Sequence, residues 1–193
     1  MKRKNTVMLR RACISSLFAA LLCVLSPIAI PVGPVPVSLS VFAVLLCAAM
    51  LGPISALSAV TVYLLLGAVG LPVFGGGMGG FGVLLGPTGG YVWSYLPMCL
   101  LSGVLYRQIF LSPTESMRPI KKIMLGFLAG LPGLLICYLL GTLQYSFVAD
   151  VTIGTAIVVC VLPFLIFDLL KLLLVGFLGE RLYRISVVRK IFE

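Results

Sequence analysis

Pro163-Phe-Leu-Ile-Phe-Asp168-Leu-Leu-Lys171 sets one acid and one base in a run that is otherwise apolar. Three residues apart, Asp168 and Lys171 share one face of an α-helix and can reach each other. A charge at the centre of a membrane helix costs about 2.5–3.5 kcal/mol on insertion scales, so such residues usually face a bundle interior, pair, and mark a site. Two readings of the pair stay open: an ion pair that locks helices together, or a polar anchor for a ligand. Either one makes this a helix of a membrane bundle.

Residues 151–179, the apolar run around the pair, number 29, too many for one upright span of about 20 residues. Pro163 divides them. Proline is favoured at the first helical position, where its missing N–H is no loss. A helix that opens there carries Asp168 about 8 Å and Lys171 about 12 Å below its start, at roughly 1.5 Å per residue. Residues 152–162 then form a short helix or a re-entrant piece beside the mouth.

The rest of the chain belongs to the same class. Residues 12–106 carry no formal charge, and the whole chain of 193 residues is 61% hydrophobic and 10% charged, with mean hydropathy +1.23. A soluble domain would need more charge for its surface. The apolar runs are continuous rather than alternating, which predicts an all-α integral membrane protein. The net charge of +9 comes in clusters: five basic residues in 1–11, four in 107–122 and four in 181–190, with Lys171 left over. Clusters beside apolar runs are a topology signal and not a nucleic-acid footprint. They place both termini and the 112–122 loop in the cytoplasm. The N-terminus mimics a secretory signal, but its 19-residue apolar run at 12–30 lacks a small-residue cleavage motif and reads as a retained span. Six scattered cysteines without a CxxC spacing, and no histidine, predict free buried thiols and no metal site.

Six helices over one transmembrane domain, 1–193, satisfy these clusters: about 9–30, 38–51, 53–70, 88–111, 121–146 and 163–183. The first ends in a proline-rich turn. Two stripes of small residues run along it, Ala12/Ser16/Ala20 and Ser15/Ala19/Cys23; each suits close approach of a helix, from within the chain or from a partner. Gly52-Pro53 breaks the second helix from the third, and Gly130-Leu-Pro132 is a place for a bend in the fifth. Between the third and fourth lies Gly70–Gly90, in which ten of 21 residues are glycine and two are proline. No regular helix is expected there. Its Phe74, Phe81, Leu84 and Leu85 are too apolar for a solvated linker, so it reads as an outer loop folded over the bundle mouth. Tyr91, Trp93 and Tyr95 suit an interfacial aromatic belt, with Tyr91 also placed to pack on a ligand.

In order along the chain, Val35-Pro-Val-Ser-Leu39, Leu51-Gly-Pro53, Tyr63-Leu-Leu-Leu-Gly-Ala-Val-Gly-Leu-Pro-Val-Phe74, Leu85-Gly-Pro-Thr-Gly-Gly-Tyr91 and Pro163-Phe…Asp168-Leu-Leu-Lys171 resemble the BioY family. That family is the biotin-specific substrate-binding (S) component of energy-coupling-factor (ECF) transporters. Where it usually has Gln, this chain has Ser40. The resemblance implies a six-helix S-component bundle in the bacterial cytoplasmic membrane that captures biotin from outside. Its partners would be a membrane coupling (T) subunit, met by Ala12, Ser16 and Ala20, and two cytoplasmic ATPases. The pocket would draw on the first outer loops, the glycine-rich loop and the last helix, with Phe74, Gly79, Gly80, Tyr91, Asp168 and Lys171 as its residues. Biotin also suits the residues themselves: its ureido ring offers two N–H donors and a carbonyl to the Asp–Lys pair, and its apolar remainder suits Phe74, Val83 and Leu84. No cofactor and no enzyme activity are implied; activated-nucleophile and nucleotide-hydrolysis motifs are missing. Two other classes stand beside this one: a proton-coupled carrier in which Asp168 titrates, and a structural membrane subunit held by the pair.

Overall fold

The computed structural model describes residues 2–30, 37–110 and 118–183. The proline-rich turn at 31–36, most of the loop at 112–122, and the basic residues Arg184, Arg189 and Lys190 lie outside the described residues. The elements run α1 (Lys2–Leu25), β1 (Ala29–Ile30), β2 (Val37–Ser38), α2 (Ser40–Leu51), α3 (Pro53–Ala68), α4 (Phe81–Leu85), α5 (Gly89–Phe110), α6 (Pro119–Val148), α7 (Ile153–Cys160) and α8 (Leu162–Tyr183). The six expected helices correspond to α1, α2, α3, α5, α6 and α8. Among them α1 (over Met8–Leu25), α6 and α8 have the length and hydropathy of a crossing, whereas α2 and α3 are shorter apolar helices.

Two expectations are corrected. The first helix stops at Leu25 rather than near residue 30, because Ser26 and Pro27 turn the chain, and Ala29–Ile30 pairs antiparallel with Val37–Ser38 as a small hairpin. The glycine-rich segment is not wholly irregular, since Phe81–Leu85 makes one short helix between Gly80 and Gly86. The fifth expected helix, α6, continues through Pro132 for 30 residues. The glycines around that proline serve packing: a Cβ on Gly133 would collide with the Ser102 hydroxyl of α5, and one on Gly130 with Leu172 of α8. Close approach of this kind is how helices associate in lipid, where there is no hydrophobic driving force between them.

The second helix is deeply buried. Val44, Leu45, Cys47 and Ala48 are fully buried, and α2 packs against α1, α3, α5 and α8. The Gly52-Pro53 break works as expected, with Gly52 in a left-handed conformation (φ 72°) and Pro53 opening α3 where its missing donor is harmless. Apolar side chains also cover the outside: Phe147 is 88% and Ile166 70% exposed. Such a surface requires lipid rather than water as solvent. The cysteines are free, with Cys47, Cys99, Cys137 and Cys160 buried and Cys23 half-buried; Cys13, expected inside, is exposed on α1.

Candidate functional site

Beneath the glycine-rich segment a cavity opens between β2, α2, α5, α6, α7 and α8, and Asp168 and Lys171 form part of its lining. Pro163 stands in the first turn of α8, as its stereochemistry favours. The two charges therefore fall a turn and more into the helix. They are 4% and 8% exposed, a burial that demands partners for both. Lys171 Nζ donates to Asp168 Oδ1 at 2.7 Å and to the Ser38 carbonyl at 2.8 Å, while the Tyr138 hydroxyl donates to Asp168 Oδ2 at 2.7 Å. An ammonium has three donors and a carboxylate about four acceptor positions. The network thus orients both groups and leaves one donor and further acceptor capacity for a polar guest.

Ser38 is presented by the hairpin. Its hydroxyl accepts from the Ser40 N–H at 3.3 Å and donates to the Ser40 hydroxyl at 2.9 Å, so its carbonyl is the group turned to Lys171. The rest of the wall is largely apolar and aromatic, with Val37, Val41, Phe74, Val83, Val92 and Phe164 among it. A cavity with an apolar body and one oriented donor–acceptor anchor suits a small ligand that has an apolar part and an amide-like end.

Phe74 reaches the cavity because the loop and α3 leave it one place to go. Its ring packs edge-on against Tyr63 at 5.7 Å, and it fills the space a side chain at Gly67 would take. The turn that follows brings the Phe74 N–H to the Met78 carbonyl at 2.8 Å. Gly76 and Gly77, at φ 73° and 74°, permit this reversal, which a residue with a Cβ would resist. Tyr91 also lines the cavity, its ring seated over Gly141 of α6 and its hydroxyl donating to the Cys160 carbonyl of α7 at 3.2 Å.

Of the six residues expected at a ligand, the structure brings together Phe74, Tyr91, Asp168 and Lys171. Gly79 and Gly80 are placed otherwise. Gly79 is pressed against the Leu71 backbone, and the Gly80 N–H donates to the Gly67 carbonyl at 2.7 Å, so both tie the loop to the end of α3. Gly75 and Met78 line the cavity in their stead. Leu84 is buried in the core rather than facing the cavity, while its neighbour Val83 does line it. The Leu84 carbonyl accepts from Gln144 at 2.9 Å and from the Trp93 indole at 3.2 Å, and Gln144 also donates to the Gly86 carbonyl at 2.8 Å. These bonds pin the glycine-rich segment to α5 and α6.

Sequence reasoning passed over Tyr138 and the Ser38 carbonyl, and it set Tyr95 in an interfacial belt, whereas Tyr95 is buried and lines the cavity. Tyr138 had a signal, being the one hydroxyl-bearing residue within 123–141. A backbone carbonyl has none. Of the small-residue stripes on α1, Ser15 and Ala19 face inward, with the Ser15 hydroxyl donating to the Ser55 carbonyl of α3 at 3.2 Å, whereas Ala12, Ser16 and Ala20 are exposed.

The model of the BioY family matches residues 1–187. A biotin transporter BioY of Thermotoga maritima is 39% identical over 176 residues, covering 91% of this chain and 96% of the relative. A probable biotin transporter BioY of Pyrococcus horikoshii is 34% identical over 167 residues, covering 86% and 92%. Among solved structures, the S-component for biotin from an ECF-type ABC transporter superposes with a TM-score of 0.82 at 26% identity, covering 98% of each chain.

Proposed function

The chain belongs to the BioY family, and from that premise we propose that it captures biotin for uptake as the substrate-binding component of an ECF transporter. The observation that carries this reading is the buried Lys171–Asp168 pair, oriented by Tyr138 and Ser38 at an otherwise apolar cavity. The ureido group of biotin supplies two N–H donors and one acceptor to match it, and the thioether ring and valeryl chain match the walls formed by Phe74, Val83 and Phe164. Asp168 and Lys171 hold the polar end; Phe74 and Tyr91 pack on the body; Gly79 and Gly80 act through the loop they close. A calorimetric titration of biotin into the purified protein tests this: one saturable site is expected, and no saturable binding would sink the reading.

Uptake requires an energy source, and this chain has no nucleotide-binding motif. Its partners in the proposal are a membrane coupling subunit and two ATPases in the cytoplasm. The exposed Ala12/Ser16/Ala20 face of α1 is the candidate contact, since exposed small residues permit close approach of another helix. Ala20→Leu is expected to keep biotin binding and to lose co-purification with the coupling subunit. Ala19→Leu, on the buried face at 2% exposure, should instead destabilise the protein itself. Equal behaviour of the two variants in binding and pull-down would remove the assignment.

In the proposed orientation both termini lie in the cytoplasm of a bacterium, and the glycine-rich segment lies outside. Arg10 and Arg11 near the start of α1, Arg107 near the end of α5, Lys121 and Lys122 at the start of α6, and Arg181 near the end of α8 support it by the positive-inside rule. In a cysteine-free background, a membrane-impermeant thiol reagent applied to whole cells should label Met78→Cys and spare Lys121→Cys. The reverse pattern would invert the topology.

A further inference from the structure

The seam between α6 and α8 has a feature that biotin capture does not use. The two helices meet at Gly126 and Gly176, where a Cβ on Gly126 would stand 3.0 Å from the Gly176 Cα and one on Gly176 would stand 2.7 Å from the Ile123 carbonyl. Along the outer side of this crossing runs an open groove lined by Met124 and Phe127 of α6 and by Ile166, Leu169, Leu170 and Leu173 of α8. Its lining is wholly apolar. The same face of α8 continues through Phe177 to Arg181, whose guanidinium lies over the Phe177 ring at 5.4 Å. On α6 the chain runs back from Met124 to Lys121, one turn away and exposed.

The register matters. Arg181 lies five residues past Gly176 and Lys121 five residues before Gly126. On these antiparallel helices that is about 7.5 Å from the crossing for each, toward the same end, at roughly 1.5 Å per residue. The acid beside Arg181, Glu180, is buried, at 3% exposure. Two cations therefore flank one end of an apolar channel on the membrane-facing surface.

We propose that this seam is a binding site for an anionic diacyl phospholipid, with an acyl chain in the Met124–Leu173 groove and the phosphate headgroup held between Lys121 and Arg181. Neither part alone selects this ligand. An apolar groove in a membrane accepts any acyl chain, and basic residues at a membrane surface attract any anionic headgroup. Together, at this spacing, they discriminate headgroup charge at one fixed place. Guanidinium is the better phosphate partner, since its planar fork can grip two oxygens at once, and here it is stacked on the Phe177 ring. The pair is separate from the biotin cavity and from the exposed face of α1, so the proposal does not rest on either assignment.

Native mass spectrometry of the detergent-solubilised full chain, titrated with phosphatidylglycerol or phosphatidylcholine, tests it. Wild type should retain phosphatidylglycerol in preference to phosphatidylcholine. Each cation near a membrane surface is worth about fivefold in affinity for anionic lipid, so Lys121→Gln/Arg181→Gln should lower phosphatidylglycerol affinity roughly twenty-five-fold and leave phosphatidylcholine unchanged. Lys121→Arg should retain the preference. Leu170→Trp, which fills the groove and leaves both charges, should also lose the retained lipid. Thermal unfolding of each variant reports that it has folded. Equal retention of the two lipids by wild type would overturn the proposal, as would wild-type affinity in the double Gln variant. Undiminished lipid retention by Leu170→Trp would show that the headgroup is held without the groove, and would overturn it too.

Discussion

Asp168→Asn is expected to weaken biotin binding by on the order of ten- to a hundredfold, the loss that follows when a charge-assisted hydrogen bond costing about 1.5–3 kcal/mol is removed. Shape is not the cause. An Asn oxygen can still accept from Lys171, and its NH2 can be met by the Tyr138 oxygen if that hydroxyl reverses its role. What disappears is the counter-charge of a buried ammonium, and removing one partner of a buried pair costs about 3–5 kcal/mol in stability. Lys171→Met should be as damaging to binding, because the remaining carboxylate keeps Tyr138 but loses its cation. The double variant Asp168→Asn/Lys171→Met separates the two roles of the pair. If the pair contacts biotin, the neutral protein folds and still binds poorly. Were the pair only structural, each single variant would misfold and the double would recover, with biotin affinity at the wild-type value. Calorimetry of the three variants, with thermal unfolding of each, decides between these outcomes.

Gly67→Ala is expected to give the second largest effect, from a residue that lies outside the cavity. A Cβ at this position would overlap the Phe74 ring, which is 1% exposed and wedged against Tyr63. The ring cannot retreat into solvent. Forcing an extra carbon into such packing costs about 1–3 kcal/mol, and the available relief is movement of Phe74 toward the ligand cavity it lines. Biotin affinity should therefore fall by about tenfold or more, with a lowered melting temperature. Gly154→Ala serves as the contrast. That glycine is exposed on α7, and a Cβ there would meet nothing nearer than the Thr152 hydroxyl at 4.0 Å. It should bind biotin normally and gain about 0.5–1 kcal/mol of stability, as expected for Gly to Ala within a helix. Unchanged biotin affinity in Gly67→Ala would mean that Phe74 is not held in place by this glycine.

The sequence by itself determined the features whose physics is local. A chain uncharged over residues 12–106 can satisfy its backbone in lipid only as helices or a closed barrel, and its continuous apolar runs select helices. Proline and glycine restrict the backbone where they stand. For that reason Gly52-Pro53 ends one helix and opens the next, and Pro163 sits in the first turn of α8, along which Asp168 and Lys171 fall one turn apart on a single face. The glycine-rich cover was legible for the same reason, although its short helix Phe81–Leu85 was not, because five residues carry too little periodicity to register.

Tertiary structure decided what depends on residues far apart in the chain. The partner of Lys171 beyond Asp168 is a carbonyl 133 positions away, and the partner of Asp168 beyond Lys171 is a tyrosine 30 positions away on another helix. No side-chain pattern announces a carbonyl, and a lone Tyr138 in an apolar run looks the same whether it faces a ligand or lipid. Both small-residue stripes of α1 obey the same spacing rule, and only the packing of Ser15 and Ala19 against the bundle leaves Ala12, Ser16 and Ala20 outward. Likewise Gly75 and Met78 line the cavity while Gly79 and Gly80 tie the loop to α3, a division made by where the fold-back lands on Leu71 and Gly67. Helix spacing, charge cost and backbone restriction act on each segment alone, whereas the identity of a contact is set by the other surface that arrives to make it.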